Sequence, residues 1–185
     1  PLVDQFTYFP KASAWDELPL GREEQVEQVI TTLARGKQSN VLLVGPPGSG
    51  QLAIVREIER RVRHQQAHPT LNHERMLYVH LSQRTEVAQV LREMERAGNI
   101  IAVFDGLSSL STEIDLLLPF LGSANVRVVV LAATDEYHRF IAKNDELMQL
   151  FEVVAVPPLS EENTLRLLAA IAPRLAQKKG VFLQY

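Results

Sequence analysis

Apolar residues recur along this chain with two alternating periods. Between Arg22 and Arg35 they fall at Val26, Val29, Ile30 and Leu33, the one-sided stripe of an amphipathic helix, which Gly36 ends. Val41-Leu42-Leu43-Val44 is instead a continuous run bounded by Asn40 and Gly45, the pattern of a strand covered on both faces. A glycine loop, Gly45 to Gly50, then leads into a helix expected from Gln51 to about Gln66. The remaining elements alternate in the same way. Strands are expected at Met76–Leu81, Ile100–Phe104, Val126–Ala133 and Phe151–Val156, with helices at Thr85–Ala97, Glu113–Leu121 and Glu136–Leu150. After Pro157-Pro158, Ser160 caps a last helix whose first turn carries Glu161 and Glu162, charges that a helix N-terminus favours. Strict alternation predicts an α/β fold with a five-stranded parallel sheet, helices on both faces and right-handed crossovers.

Composition narrows the class further. With 185 residues, 46% of them apolar and 22% charged, the chain can bury a substantial core. That length suits one α/β domain and part of a second. The net charge of −3 disfavours nucleic acid and gives no footprint for an anionic membrane. No cysteine is present, which excludes disulfides, thiolate metal sites and a cysteine nucleophile and fits a cytoplasmic protein. Runs such as Val126–Ala133 are far shorter than the ~18–20 residues of a spanning helix. No signal-peptide pattern is seen. The chain begins at Pro1 and ends at Tyr185 soon after a helical pattern, as expected of a piece of a longer protein.

The candidate chemistry lies at Gly45-Pro46-Pro47-Gly48-Ser49-Gly50-Gln51-Leu52. A strand that enters a glycine loop and then a helix turns backbone N–H groups and the positive end of a helix dipole toward an anion. The spacing is that of the phosphate-binding P-loop, G-x-x-x-x-G-K-[ST]. Gln51 replaces the lysine and Leu52 the Mg²⁺-holding hydroxyl. On these residues alone, a phosphate cradle and a plain structural turn are equally good readings. Ile100–Phe104 ends in Asp105, where a P-loop protein keeps the aspartate that assists Mg²⁺.

Together with Leu20-Gly21-Arg22-Glu23-Glu24 and the segment Leu131 to Ile141, which contains Thr134-Asp135-Glu136-Tyr137, these features resemble the first ATPase ring of the Clp-type chaperones, a branch of the AAA+ ATPases. Ser160-Glu161-Glu162-Asn163-Thr164 resembles the start of that family's helical lid. The resemblance runs from about Leu18 to Leu183. It implies an N-terminal extension at 1–17, a large α/β subdomain at 18–158 and the truncated start of the lid at 159–185. It further implies a site for ATP or ADP, with Mg²⁺, in which Leu18, Pro19 and Leu20 contact the adenine and Leu167, Leu168 and Ile171 close the pocket. Asp105 would assist the metal. Thr134 would sense the γ-phosphate from the strand between the P-loop strand and the Asp105 strand. The partners implied are other domains of a longer chain, a ring-type homo-oligomer, and protein clients or regulators.

The departures bear on activity. Gly106 stands where the family has the glutamate that polarises the attacking water, and Leu147-Met148-Gln149-Leu150-Phe151 lacks both arginines of the family's finger segment. The aromatic pore loop is missing after Leu81-Ser82-Gln83. The expectation is therefore a degenerate module with weak nucleotide binding and weak or absent hydrolysis, serving assembly or regulation. The alternative is an active or conditionally active ATPase completed by neighbouring subunits. His64, His68 and His73, with Glu74 the one carboxylate near them in sequence, read as surface histidines rather than a metal site. Arg56, Arg60, Arg61 and Arg63 interleave with Glu57 and Glu59 as a solvated helix face.

Overall fold

The computed structural model describes residues 20–81, 87–106, 118–123 and 126–179. Helix α1 (Glu23–Leu33) leads into β1 (Asn40–Gly45) and α2 (Gln51–Arg63), followed by β2 (Arg75–His80), α3 (Val87–Ala97) and β3 (Ile100–Asp105). A short α4 (Leu118–Leu121) precedes β4 (Val126–Ala133), the single turn α5 (Thr134–Glu136), α6 (Asp145–Leu150), β5 (Phe151–Ala155) and the long α7 (Glu161–Lys179). The five strands form one parallel sheet in the order β2-β3-β4-β1-β5. The expected α/β sandwich is the fold observed.

The continuous apolar runs are explained by cores on both faces of the sheet. Leu42, Ala102, Phe104, Val128 and Val130 join Leu91 and Met94 of α3 in one cluster. Their neighbours in sequence, Val41, Leu43, Val103, Val129 and Leu131, join Val26, Val29 and Leu33 of α1 and Ile54 and Ile58 of α2 in the other. Alternate side chains of a strand point to opposite faces, so strands buried on both sides need apolar residues at every position.

Asn40, only 2% exposed, is the polar exception at the start of β1. Its Nδ2 donates to the carbonyls of Leu121 (2.7 Å) and Leu150 (3.3 Å), and its Oδ1 accepts from the Val128 amide at 3.1 Å. Burial is tolerated because the amide is fully partnered. The basic stretch of α2, expected as a solvated face, forms an ion-pair ladder with its interleaved acids. Arg60 and Arg61 both bond Glu57, at 2.7 and 2.8 Å, Arg61 also reaches Glu27 at 2.5 Å, and Arg63 pairs with Glu59.

One element differs from expectation. The single helix anticipated over Glu136–Leu150 is divided, because the turn of α5 widens into a π-helical segment, Tyr137–Ile141. Asn144 then adopts an extended conformation and its Oδ1 accepts from the Leu147 amide at 3.1 Å, starting α6 afresh. Asparagine followed by Asp145 and Glu146 is an N-cap sequence, and it overrides the apolar period. In contrast, Ser160 caps α7 as anticipated, with its Oγ accepting from the Asn163 amide at 3.2 Å. No described helix is long and apolar enough to cross a membrane. The expected Thr85 start of α3 and the 113–117 part of the next helix lie outside the described residues, as do Ser82 and Gln83.

Candidate functional site

Parallel strands place their carboxyl ends together, and ligands of such sheets bind beyond that edge, where the strand order reverses. Here β1 sits between β4 and β5, and its carboxyl end opens into the Gly45–Gly50 loop. The loop closes tightly, with the Ser49 amide donating to the Pro46 carbonyl at 3.0 Å. Gly48 and Gly50 take φ values of 81° and 93°, a left-handed conformation natural to glycine. Gly50 precedes α2 without any side-chain cap, which leaves first-turn N–H groups directed outward.

A cleft of about 450 Å³ lies over this loop. Its walls include Leu20, Gly48, Ser49, Gly50, Gln51 and Leu52 from the expected site. Asp105 and Leu167 reach it from β3 and α7. The other expected residues are placed differently. Gly45, Pro46 and Pro47 build the loop without lining the cleft, Ile171 is fully buried, and Leu168 is 43% exposed. Thr134 begins α5 just beyond β4, which does lie between β1 and β3, and its side chain is exposed outside the cleft. Leu18 and Pro19 lie outside the described residues.

The residue at the lysine position has its amide nitrogen engaged by the sheet. Gln51 Nε2 donates to the carbonyl of Leu43 on β1 at 3.1 Å and of Ala132 on β4 at 2.9 Å. Its amide thereby joins two strand ends instead of extending over the loop. Leu52, at the hydroxyl position, packs against the apolar cluster of α1 and α2.

Arg22, which stands in the Leu20–Glu24 motif, and Tyr78 are cleft residues to which the sequence assigns no site role. Arg22 is 4% exposed, and its Nη2 donates to the Ser49 carbonyl at 2.7 Å and the Pro157 carbonyl at 2.5 Å. Its Nε is buried with no hydrogen-bond partner, as is the Oγ of Ser49. Desolvation lowers the Arg22 pKa from the ordinary guanidinium value. Tyr78 donates its hydroxyl to Asp105 Oδ2. Burial first, and the bond to Asp105 second, push the phenol pKa well up. His80 Nδ1 stands 3.6 Å from the same carboxylate oxygen. The Leu20-Gly21-Arg22-Glu23-Glu24 motif was the signal for Arg22, though it carried no role for the side chain, and for Tyr78 there was none beyond a place in a strand.

The orphaned Arg22 Nε, the uncapped start of α2 and the loop fit a phosphate group. Mg²⁺ does not fit. Leu52 offers it no oxygen, and Asp105 is engaged by the Tyr78 hydroxyl. Position 106 is closed to a second carboxylate, since Gly106 has φ 85° and a Cβ there would stand 2.8 Å from the Leu81 carbonyl oxygen. At the finger segment, Leu150 packs against the sheet core and Gln149 is exposed.

The fold and sequence both have relatives. The structure superimposes on yeast Hsp104 in a complex with ADP with a TM-score of 0.79 at 23% identity, over 89% of this chain and 26% of that one. A closed-state Hsp104 structure with ATPγS and FITC casein gives 0.80 at 20% identity, over 97% of this chain and 34% of that one. Among curated proteins, the chaperone protein ClpB of Aquifex aeolicus is 28% identical over 178 residues, covering 85% of this chain and 18% of the relative. The ATP-dependent Clp protease ATP-binding subunit ClpC of Staphylococcus saprophyticus is 25% identical over 193 residues, covering 94% of this chain and 23% of the relative. The chain thus spans about a fifth of the length of these curated relatives. The family model described as an AAA ATPase domain matches residues 18–183, so that glycine loop, strand order and sequence agree: the chain belongs to the AAA ATPase domain family, as a module homologous to the first nucleotide-binding domain of ClpB- and ClpC-type chaperones.

Proposed function

We propose that this chain is a Clp-type nucleotide-binding module that holds ATP or ADP weakly and hydrolyses ATP slowly or not at all, serving assembly or regulation within a longer chaperone. In this reading residues 18–158 form the large subdomain and 159–185 the beginning of the lid. Leu20 and Leu167 flank the base, and the Gly45–Gly50 loop with Ser49 takes the phosphates. When bound, the nucleotide supplies a phosphoanhydride whose hydrolysis needs an oriented water and compensation of developing charge. Gln51, Leu52 and Gly106 provide neither. Gln51 secures the strand ends, Leu52 packs inward, and Asp105 accepts from Tyr78. The observation that carries the reading is the loss of these groups around a cleft whose loop geometry is intact. The homologous ClpB and ClpC proteins support a chaperone setting, with a ring-type oligomer, protein clients and a cytoplasmic location as corollaries.

A second reading is an ATPase completed by neighbouring subunits. Asp105 keeps its place on the cleft, and the relatives, one of them named as an ATP-binding subunit, favour nucleotide binding more directly than they favour lost turnover. Calorimetry with ADP and ATP, paired with steady-state phosphate release by the isolated chain and by the assembled full-length protein, tests both. Binding without turnover in either form is expected. Hydrolysis that appears only on assembly selects the second reading, and no binding in any form overturns both.

A further inference from the structure

Two features set the charge of the cleft. The N-terminus of α2 carries the positive end of a helix dipole, equivalent to roughly half an elementary charge. Beside it lies the Arg22 guanidinium, whose Nε is 3.6 Å from where a Cβ of Gly50 would stand. Among the described residues Arg22 forms no ion pair, and its two hydrogen bonds go to neutral carbonyls. A buried cation next to a helix N-terminus is poorly compensated from within the fold, because desolvation penalises the charge and the dipole repels it. Its Nε retains unused hydrogen-bonding capacity, and Arg22 lines the cleft with Gly50. An anion entering the cleft would meet the positive potential of both the guanidinium and the helix end.

The opposite wall offers little to a divalent cation. Asp105 is its carboxylate, and the Tyr78 hydroxyl donates to one of its two oxygens while His80 stands near the same atom. Leu52 replaces the oxygen donor that would hold a metal between loop and phosphate. A nucleotide arriving as its magnesium complex would bring partly neutralised phosphates to a positive wall and a divalent cation to a site without a donor set. The metal would weaken the attraction rather than strengthen it.

Resting on the reading of the cleft as a nucleotide site, we propose that it takes the nucleoside di- or triphosphate as the magnesium-free anion, with Arg22 supplying the positive charge that position 51 lacks. The Pro157 carbonyl bonded to Arg22 belongs to the segment that leads to α7, so the same guanidinium links the loop, the phosphate and the approach to the lid.

The test is calorimetric titration of the unaltered chain with ADP and with ATP, in excess Mg²⁺ and in EDTA, alongside the Arg22→Gln and Arg22→Lys variants checked by far-ultraviolet circular dichroism. Equal or tighter binding in EDTA is expected, with a loss of about tenfold or more in Arg22→Gln, the range of a charged hydrogen bond. Arg22→Lys keeps the charge and should stay within about threefold of the unaltered chain. Should the Gln variant fail to fold, the Lys variant decides the role of Arg22, and a loss of about tenfold in it overturns that role. Binding tightened about tenfold or more by Mg²⁺, or unaffected by Arg22→Gln, overturns the proposal while leaving the nucleotide site standing. No binding in either buffer overturns the nucleotide site itself.

Discussion

Gln51 Nε2 lies 2.9 Å from the carbonyl oxygen of Ala132, so the side chain at the position of the catalytic lysine is bonded to the end of β4. The same nitrogen reaches Leu43 on β1. The first turn of α2 is thereby tied to two adjacent strands, and replacing the glutamine alters both binding and anchoring.

Gln51→Lys is expected to strengthen ADP and ATP binding by about tenfold or more, since a charged hydrogen bond to phosphate contributes ~1.5–3 kcal/mol. Turnover should remain near background, because Gly106, Gln149 and Leu150 still supply neither a carboxylate for water nor a cation for developing charge. Adding Leu52→Thr restores an oxygen donor and should make binding dependent on Mg²⁺. Calorimetry with and without EDTA, followed by phosphate-release kinetics, checks both steps. Robust hydrolysis by Gln51→Lys with Leu52→Thr would show that the catalytic groups lie elsewhere.

Gly106→Glu is expected to destabilise the chain rather than to restore activity. A side chain at φ 85° is strained, and its Cβ would meet the Leu81 carbonyl oxygen at 2.8 Å. The penalty should be ~1–3 kcal/mol, and Gly106→Ala should share most of it because the clash begins at Cβ. Thermal melting of the two variants is the measurement, and an unchanged midpoint for both would refute the backbone assignment.

Asn40→Ala should cost ~2–4 kcal/mol, since it leaves the buried Val128 amide and the Leu121 and Leu150 carbonyls without their partner. For a chain of this size each kcal/mol lowers the melting midpoint by ~2–4 °C. A loss below about 1 kcal/mol in urea unfolding would mean that water or a shifted neighbour restores those bonds.

Acid should remove the contribution of the α2 ion-pair ladder. The hydrogen bond from Arg60, and then that from Arg61, hold the Glu57 carboxyl below its ordinary value of 4.5 despite the opposing effect of burial. The folded state therefore binds the proton less readily than the unfolded state. The resulting stability is present above pH 4.5 and declines as the pH falls through the depressed folded value. Glu57→Gln should lower stability at neutral pH by up to about 1 kcal/mol, the range of partly exposed pairs, and should flatten the acid limb. Denaturant unfolding between about pH 3 and 7 reads both effects. An identical acid limb in the variant would remove Glu57 from the account.

Much of the scaffold is legible in the sequence because strands buried on both faces leave uninterrupted apolar runs, as at Val41–Val44 and Ile100–Phe104. The glycine loop is equally visible, since its spacing is local. Arg22 is visible within the Leu20–Glu24 motif but its role is not, because its bonds to Ser49 and Pro157 span 27 and 135 positions, distances over which no periodicity carries information. The break before α6 was present as Asn144-Asp145-Glu146, but a helix-length apolar pattern concealed it. Gly106 was visible as a missing carboxylate, whereas its left-handed backbone was not, because a glycine letter is compatible with either sign of φ.

If turnover is weak as proposed, that backbone gives its repair a direction in mutational space. Lysine at position 51 and threonine at 52 each replace one side chain by another on α2, and each is open to a single substitution. Position 106 first requires a different path for the chain after β3, so that a side chain can leave without meeting Leu81. Routes to a carboxylate at this site are therefore ordered: an engineer who begins with glutamate at 106 meets a destabilised intermediate, while one who first rebuilds the segment that follows Gly106 can add the carboxylate last.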